Sequence, residues 1–280
     1  MTIENMITVD VEDWYHICGI KHIIAEESWH DLESRIQQNI SRVLKILAEK
    51  NVKATFFTLG YIAETYPELI QTIQKDGHEI ATHGHAHHRV YTLTPQTFRE
   101  DLKKSVDAIR RITGETVKGF RAPEWSIRDD SLWALDILQE EGFEYDSSKA
   151  PLNFIGNPDY PKIPHPITLK NGMLWEIPPL VRTTPFANLP IAGGWGLRVF
   201  PYRLIYSTIR SLNDAGHPAL VYFHPREFDP AVPRVRLPLA KRFVLGAKLV
   251  STETRLKRLL KDFQFSPVIS ALERIKTGKI

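Results

Sequence analysis

The stretch ATHGHAHHRV carries four histidines in six residues: His83, His85, His87 and His88. His83 and His87 are four apart, and on a helical turn residues at that spacing project to one side, so two imidazoles can reach one ion. His85 has no partner at that spacing, and His88 is offset by one. Two neutral nitrogens are too few for a hydrolytic metal site; a carboxylate completes the set and leaves positions open for water and substrate. Such acids occur in MITVDVEDW, where Asp10, Glu12 and Asp13 fall within four residues at the end of an apolar run. Three acids there are costly to bury without a cation or hydrogen-bond donors. The chemistry indicated is metal-assisted hydrolysis.

The elements that must hold these residues follow from periodicity. MITVDV, KATFFTL, HEIATH, VKGFRAP, FEYDSS and ALVYFHP read as short buried strands. Between them lie helical patterns: Ile36, Ile40, Val43, Leu44 and Leu47; YPELIQTIQKDG; TPQTFREDLKKSVDAIRRITG with Thr94 as N-cap and Gly114 as stop; DDSLWALDILQEEG; and PYRLIYSTIRSLNDAG. Residues 150–201 interrupt the rhythm with Pro, Gly and a hairpin, ITLKNGMLWEIP, turning at Asn171-Gly172. Repeated strand–helix units predict an α/β fold, a parallel sheet closing toward a barrel. The acids of β-strand one, the histidines, Arg121, Asp146 and His224 all fall at strand carboxyl ends. Beyond residue 236 the chain turns helical and charged, so residues 1–236 are expected to form the barrel and 237–280 a C-terminal helical extension packed on it.

Composition fits an ordinary globular chain, 42% hydrophobic and 25% charged. A net charge of +3 gives no ground for a nucleic-acid partner. The single cysteine, Cys18, excludes an internal disulfide. No run approaches the length of a transmembrane helix, and the first residues lack the pattern of a signal peptide, so the expected location is the cytoplasm.

Five short motifs in order resemble the polysaccharide deacetylases, carbohydrate esterase family 4, over roughly residues 5–228. They are the acids of VDVEDW, HGHAH with Gly84 where the family has Ser or Thr, Arg121-Ala122-Pro123, Asp146 in YDSS, and His224 closing LVYFH. DVEDW, FRAPEWSI, YDSS and YFHPREFDP look most like the intracellular branch of exopolysaccharide biosynthesis loci. The resemblance implies a distorted (β/α) barrel and a divalent ion on Asp13, His83 and His87, zinc first, with cobalt or nickel also suited. It implies an N-acetylated sugar or polysaccharide as substrate. Arg121 would orient the catalytic carboxylate and Asp146 would tune the acid His; His85 and His88 are read as bystanders. Amide hydrolysis also needs a proton for the departing nitrogen, a role that suits His224. Trp14, Trp125 and the AGGWG run around Trp195 are candidates for contact with a pyranose ring.

The base stays open between two residues. Matching the family's adjacent acids makes Glu12 the base. Strand alternation puts Asp10 and Glu12 on one face with Asp13 turned away, unless the strand ends there, and then allows Asp10 as base and even Glu12 as ligand. Asp10 is placed slightly ahead, with Asp13 as ligand. Two other functions compete: an amide hydrolase of the same fold acting on a small cyclic amide, and a catalytically inactive carbohydrate-binding protein.

Overall fold

The computed structural model of the 280-residue chain describes residues 3–18, 23–191, 193–233 and 235–279. Its strands are β1 (Glu4–Val11), β2 (Thr55–Thr58), β3 (Glu79–Thr82), β4 (Gly119–Phe120), β5 (Tyr145–Asp146), β6 (His165–Leu169), β7 (Gly172–Glu176), β8 (Val181–Thr183), β9 (Asn188–Pro190), β10 (Leu220–Phe223) and β11 (Gln264–Ser266). The main sheet runs β10-β1-β2-β3-β4-β5-β7-β6, parallel from β10 to β7 and antiparallel only between β6 and β7. After β7 the chain crosses to the far edge, where Leu180 N–H donates to Leu220 O at 3.2 Å. That bond, made by an irregular segment, brings the sheet's two sides together as a distorted barrel. The hairpin turns on Lys170–Asn171, one residue earlier than the Asn-Gly signal suggested, because Leu169 pairs with Gly172. β8 and β9 form a separate antiparallel pair.

Helices α1 (Ile36–Ala48), α2 (Gly60–Thr65), α3 (Pro67–Lys75), α4 (Pro95–Thr113), α5 (Trp133–Glu140), α6 (Gly194–Val199) and α7 (Tyr202–Asp214) cover the sheet. The apolar stripe of α1 is buried as its periodicity predicts, from Ile36 to Leu47, each such side chain contributing about 1.5–3 kcal/mol. On α4, Thr94 caps the first turn reciprocally with Thr97, and Gly114 ends the helix at φ 70°.

The tail holds α8 (Leu239–Gly246), α9 (Thr252–Asp262) and α10 (Val268–Lys276). It does more than cover the outside: β11 pairs in parallel with β1, and α10 sets Val268, Ala271 and Leu272 against Met6, Phe57, Ala81 and Tyr145. Glu79 at the start of β3 receives the Ile269 N–H in the first turn of α10, 3.1 Å, and the Tyr145 hydroxyl at 2.8 Å. The amino end of the barrel is thereby filled, and the carboxyl end is left for a cavity. Among the described residues no helix is long and apolar enough to cross a membrane.

Candidate active site

Alternation along β1 decides which acids face the interior. Thr8, Asp10 and Glu12 share one face, and all three are buried. The backbone turns immediately afterwards, with His16 N–H bonded to Asp13 O. Glu12 Oε1 then lies 3.1 Å from His87 Nε2, 3.4 Å from His83 Nε2 and 3.5 Å from His224 Nε2. Glu12, His83 and His87 offer ligand atoms close enough to share one cation. Asp13, the expected third ligand, stands outside this group. Its carboxylate is occupied by the Trp14 N–H at 2.8 Å, the Ser34 hydroxyl at 2.6 Å and the Arg35 N–H at 2.9 Å. The adjacent acids separate because period-two geometry wins over adjacency.

His83 and His87 do converge, but not on a helical turn. Residues 83–88 form a loop in which Gly84 and His87 take φ 75° and 55°. Gly84 is required on two counts: its left-handed backbone, and Asp101, whose Oδ2 would stand 2.9 Å from an added Cβ. Asp101 accepts the His85 N–H at 2.8 Å and so pins the loop. His85 Nε2 meets Glu64 at 3.0 Å and His88 Nε2 meets Glu26 at 3.1 Å, both directed away from Glu12.

The donor set suits a cation. His83 Nδ1 is 2.7 Å from Arg121 O, which assigns its proton to Nδ1 and leaves the Nε2 lone pair free. That buried Nε2 has no hydrogen-bond partner. His87 Nδ1 is set 3.3 Å from Cys18 Sγ, again leaving Nε2 for the site. Burial disfavours a charged Glu12, yet His87, Arg226 and His224 hold its carboxyl well below the ordinary range. Arg226 contributes directly, 2.5 Å from Glu12 Oε2.

Arg121 is wholly buried and bonds Asp10 Oδ1 at 2.7 Å, Thr8 Oγ1 at 2.8 Å and Ser147 Oγ at 2.9 Å. Its guanidinium lies 4.1 Å from the Phe57 ring centre and 4.4 Å from that of Trp125. Trp125 therefore packs against the arginine, and Trp14 is buried with its indole N–H on Glu33 O. Trp195 borders the cavity; Ala192 of the AGGWG run lies outside the described residues.

On the other wall, His224 Nε2 is 3.8 Å from Asp10 Oδ2. Its Nδ1 is 2.6 Å from Glu227 Oε1, and Glu227 Oε2 is 3.1 Å from Arg198 Nε, with Arg198 and Glu227 both buried. Burial works against the Glu227 anion, but Arg198 and His224 keep its carboxyl below the usual range. Glu227, not Asp146, is thus the acid behind His224. The signal was present in HPREF, where residues three apart on a tight turn can meet. Asp146 is turned the other way: it takes the Ser148 hydroxyl and pairs with Glu176, its neighbour in register on β7. Burial pushes Asp146 up to about 6, and burial together with the Asp146 charge pushes Glu176 well up. Its link to the site is indirect, through Ser147, which holds Arg121.

His16 is another residue the sequence did not single out. It is buried at the cavity wall, Nδ1 accepts the Asp13 N–H at 2.9 Å, and Nε2 has no partner. Asp10, Glu12, His16, His83, His87, His224 and Glu227 line a cavity of about 400 Å³ walled further by Ile155, Trp195, Tyr222 and one side of α8. It combines a cation-binding cluster, a carboxylate fixed by an arginine, and a histidine fixed by a glutamate, within hydrogen-bond range or slightly beyond.

Residues 28–145 match the family model described as polysaccharide deacetylase, and residues 147–273 match one described as a domain of unknown function. The chain is similar to a peptidoglycan deacetylase of Helicobacter pylori, 29% identical over 168 residues, which is 58% of this chain and 55% of that protein. It spans about half that relative's length. Among solved structures, a putative polysaccharide deacetylase from Mycobacterium smegmatis is similar with a TM-score of 0.67 at 20% identity, covering 100% of this chain and 96% of the other. A carbohydrate esterase family 4 pseudoenzyme from Bacillus anthracis is similar at a TM-score of 0.51 and 16% identity, covering 97% of this chain and 66% of that one. These likenesses carry the fold alone.

Proposed function

Because residues 28–145 match the polysaccharide deacetylase family model, we propose that the chain is a metal-dependent hydrolase removing N-acetyl groups from an N-acetylated sugar or polysaccharide. The observation that carries this reading is the convergence of Glu12, His83 and His87 between Asp10–Arg121 and His224–Glu227. Glu12, His83 and His87 would hold a divalent ion, zinc first among N/O ligands of this kind. Such an ion supplies Lewis acidity, activating water and polarising the acetyl carbonyl.

The remaining steps belong to the chain's own residues. Asp10, aimed by Arg121, accepts the proton of the attacking water. His224 delivers a proton from Nε2 to the departing nitrogen, since an amide anion is a very poor leaving group. Glu227 accepts the Nδ1–H and holds the ring in place during the transfer. The cavity walls and α8 limit water around the reacting acetyl group. The testing experiment compares N-acetylhexosamine oligomers with small cyclic amides after loading with zinc. Acetate release from the oligomers supports the reading; turnover of cyclic amides alone contradicts it.

A further inference from the structure

Between Asp229 and Glu253 the sequence has no acidic residue. The cations Arg234, Arg236, Lys241, Arg242 and Lys248 fall in this stretch, and of these Arg236, Arg242 and Lys248 make no ion pair among the described residues. The stretch also holds α8, none of whose residues is buried. Leu239 is 81% exposed, Phe243 52%, Val244 39% and Val250 81%. Among the described residues ten large apolar side chains are exposed, and four of them lie in these twelve positions, so the clustering is not scatter. Leu239, Arg242, Phe243 and Gly246 recur at helical spacing on one face of α8 and front a groove of about 770 Å³. Trp14, Ile17, Val232 and Val235 form its other apolar wall, with Arg226 and Arg236 also bordering it. The opposite side of α8, through Ala240, Lys241 and Val244, walls the catalytic cavity, and Leu245 borders both.

We propose that residues 235–250 form an interfacial docking surface for a bilayer carrying anionic lipid, which seats the mouth of the cavity against the membrane. Cations beside solvent-exposed Leu, Phe and Val match phosphate headgroups over an acyl boundary. A soluble polyanion would use the arginines but leave Leu239, Phe243 and Val250 in water. Arg198 ties the device to the fold, donating to Val244 O at 2.5 Å and to Ala247 O while holding Glu227. The docked helix therefore stays in register with His224. A saccharide presented at the membrane surface would reach the cavity without crossing bulk solvent. The docking itself does not depend on the deacetylase reading.

The test is flotation of the full chain with vesicles of phosphatidylcholine, alone or with phosphatidylglycerol. Binding is expected only with phosphatidylglycerol and should weaken as salt rises. Arg236→Glu with Arg242→Glu should weaken it about five-fold or more per cation. Leu239→Ser with Phe243→Ser should weaken it by about ten-fold or more at unchanged charge. Phe186→Ser, at a side chain 94% exposed elsewhere on the molecule, should have no effect. Circular dichroism and thermal midpoints verify that each variant is folded. No binding to anionic vesicles overturns the proposal. So does binding that survives Leu239→Ser with Phe243→Ser, which would mark a purely ionic site for a polyanion.

Discussion

Glu227 Oε1 stands 2.6 Å from His224 Nδ1, so the imidazole that faces Asp10 and Glu12 through Nε2 is fixed from behind by a buried carboxylate. This fixes the ring orientation and keeps Nε2 aimed at the reacting group, as a general acid requires. His224→Ala should retain the metal and lose about 10²–10⁴-fold in amide turnover. Glu227→Gln, which keeps shape but not charge, should lose a smaller factor in kcat with little change in KM. An activated ester, whose leaving group needs no proton, should be spared in both variants. Equal losses on amide and ester would assign His224 to positioning.

Asp13 and Glu12 are neighbours with opposite fates, and their variants should separate. Asp13→Ala removes the acceptor for Trp14 N–H, Ser34 and Arg35 N–H, leaving one buried and two half-buried donors unmatched. It should destabilise the fold by about 1–3 kcal/mol per unmatched group and still bind the ion. Thermal melts read the first effect and metal analysis the second. An Asp13→Ala protein that is stable but metal-free would restore Asp13 as ligand.

The Asp146–Glu176 pair gives a pH signature. Both carboxyls are raised in the fold, Asp146 to about 6, against roughly 4 when unfolded. In that interval the folded chain keeps protons the unfolded chain has released, so stability falls as pH rises. The pair's contribution is complete below about pH 4 and lost through pH 6 and above. Glu176→Gln should flatten this slope in thermal midpoints measured across that range. A wild-type slope that is flat or rising there, with no change in Glu176→Gln, would contradict the raised carboxyls.

Much of the fold was legible because its signals are local. Ile36 to Leu47, Thr94 with Gly114, and the apolar strands each announce their own geometry within a dozen residues. The ordered motifs likewise brought Arg121, His83, His87 and His224 to one end of the barrel. What escaped depends on contacts across the chain. Helical i,i+4 spacing picked out His83 and His87, but Gly84 and Asp101 bring them together on a loop instead of a helical turn. A strand ending at Asp13 would turn that residue inward, while the strand's period carries Glu12 to the histidines. Asp146 was given the work of Glu227 because nothing local shows that β7 will bring Glu176 beside it. The role of Arg198 needs α6, the turn after β10 and α8 in one place, which no single window contains.

The most direct measurement on the central claim is metal content and turnover for Asp10→Asn beside Glu12→Gln, with an N-acetylated oligosaccharide as substrate. Asp10→Asn should keep the ion and lose at least about 10²-fold in kcat, because the water loses its base. Glu12→Gln should lose the ion and activity together. An Asp10→Asn enzyme that remains active, beside a Glu12→Gln enzyme that is dead with metal bound, would contradict the account and make Glu12 the base.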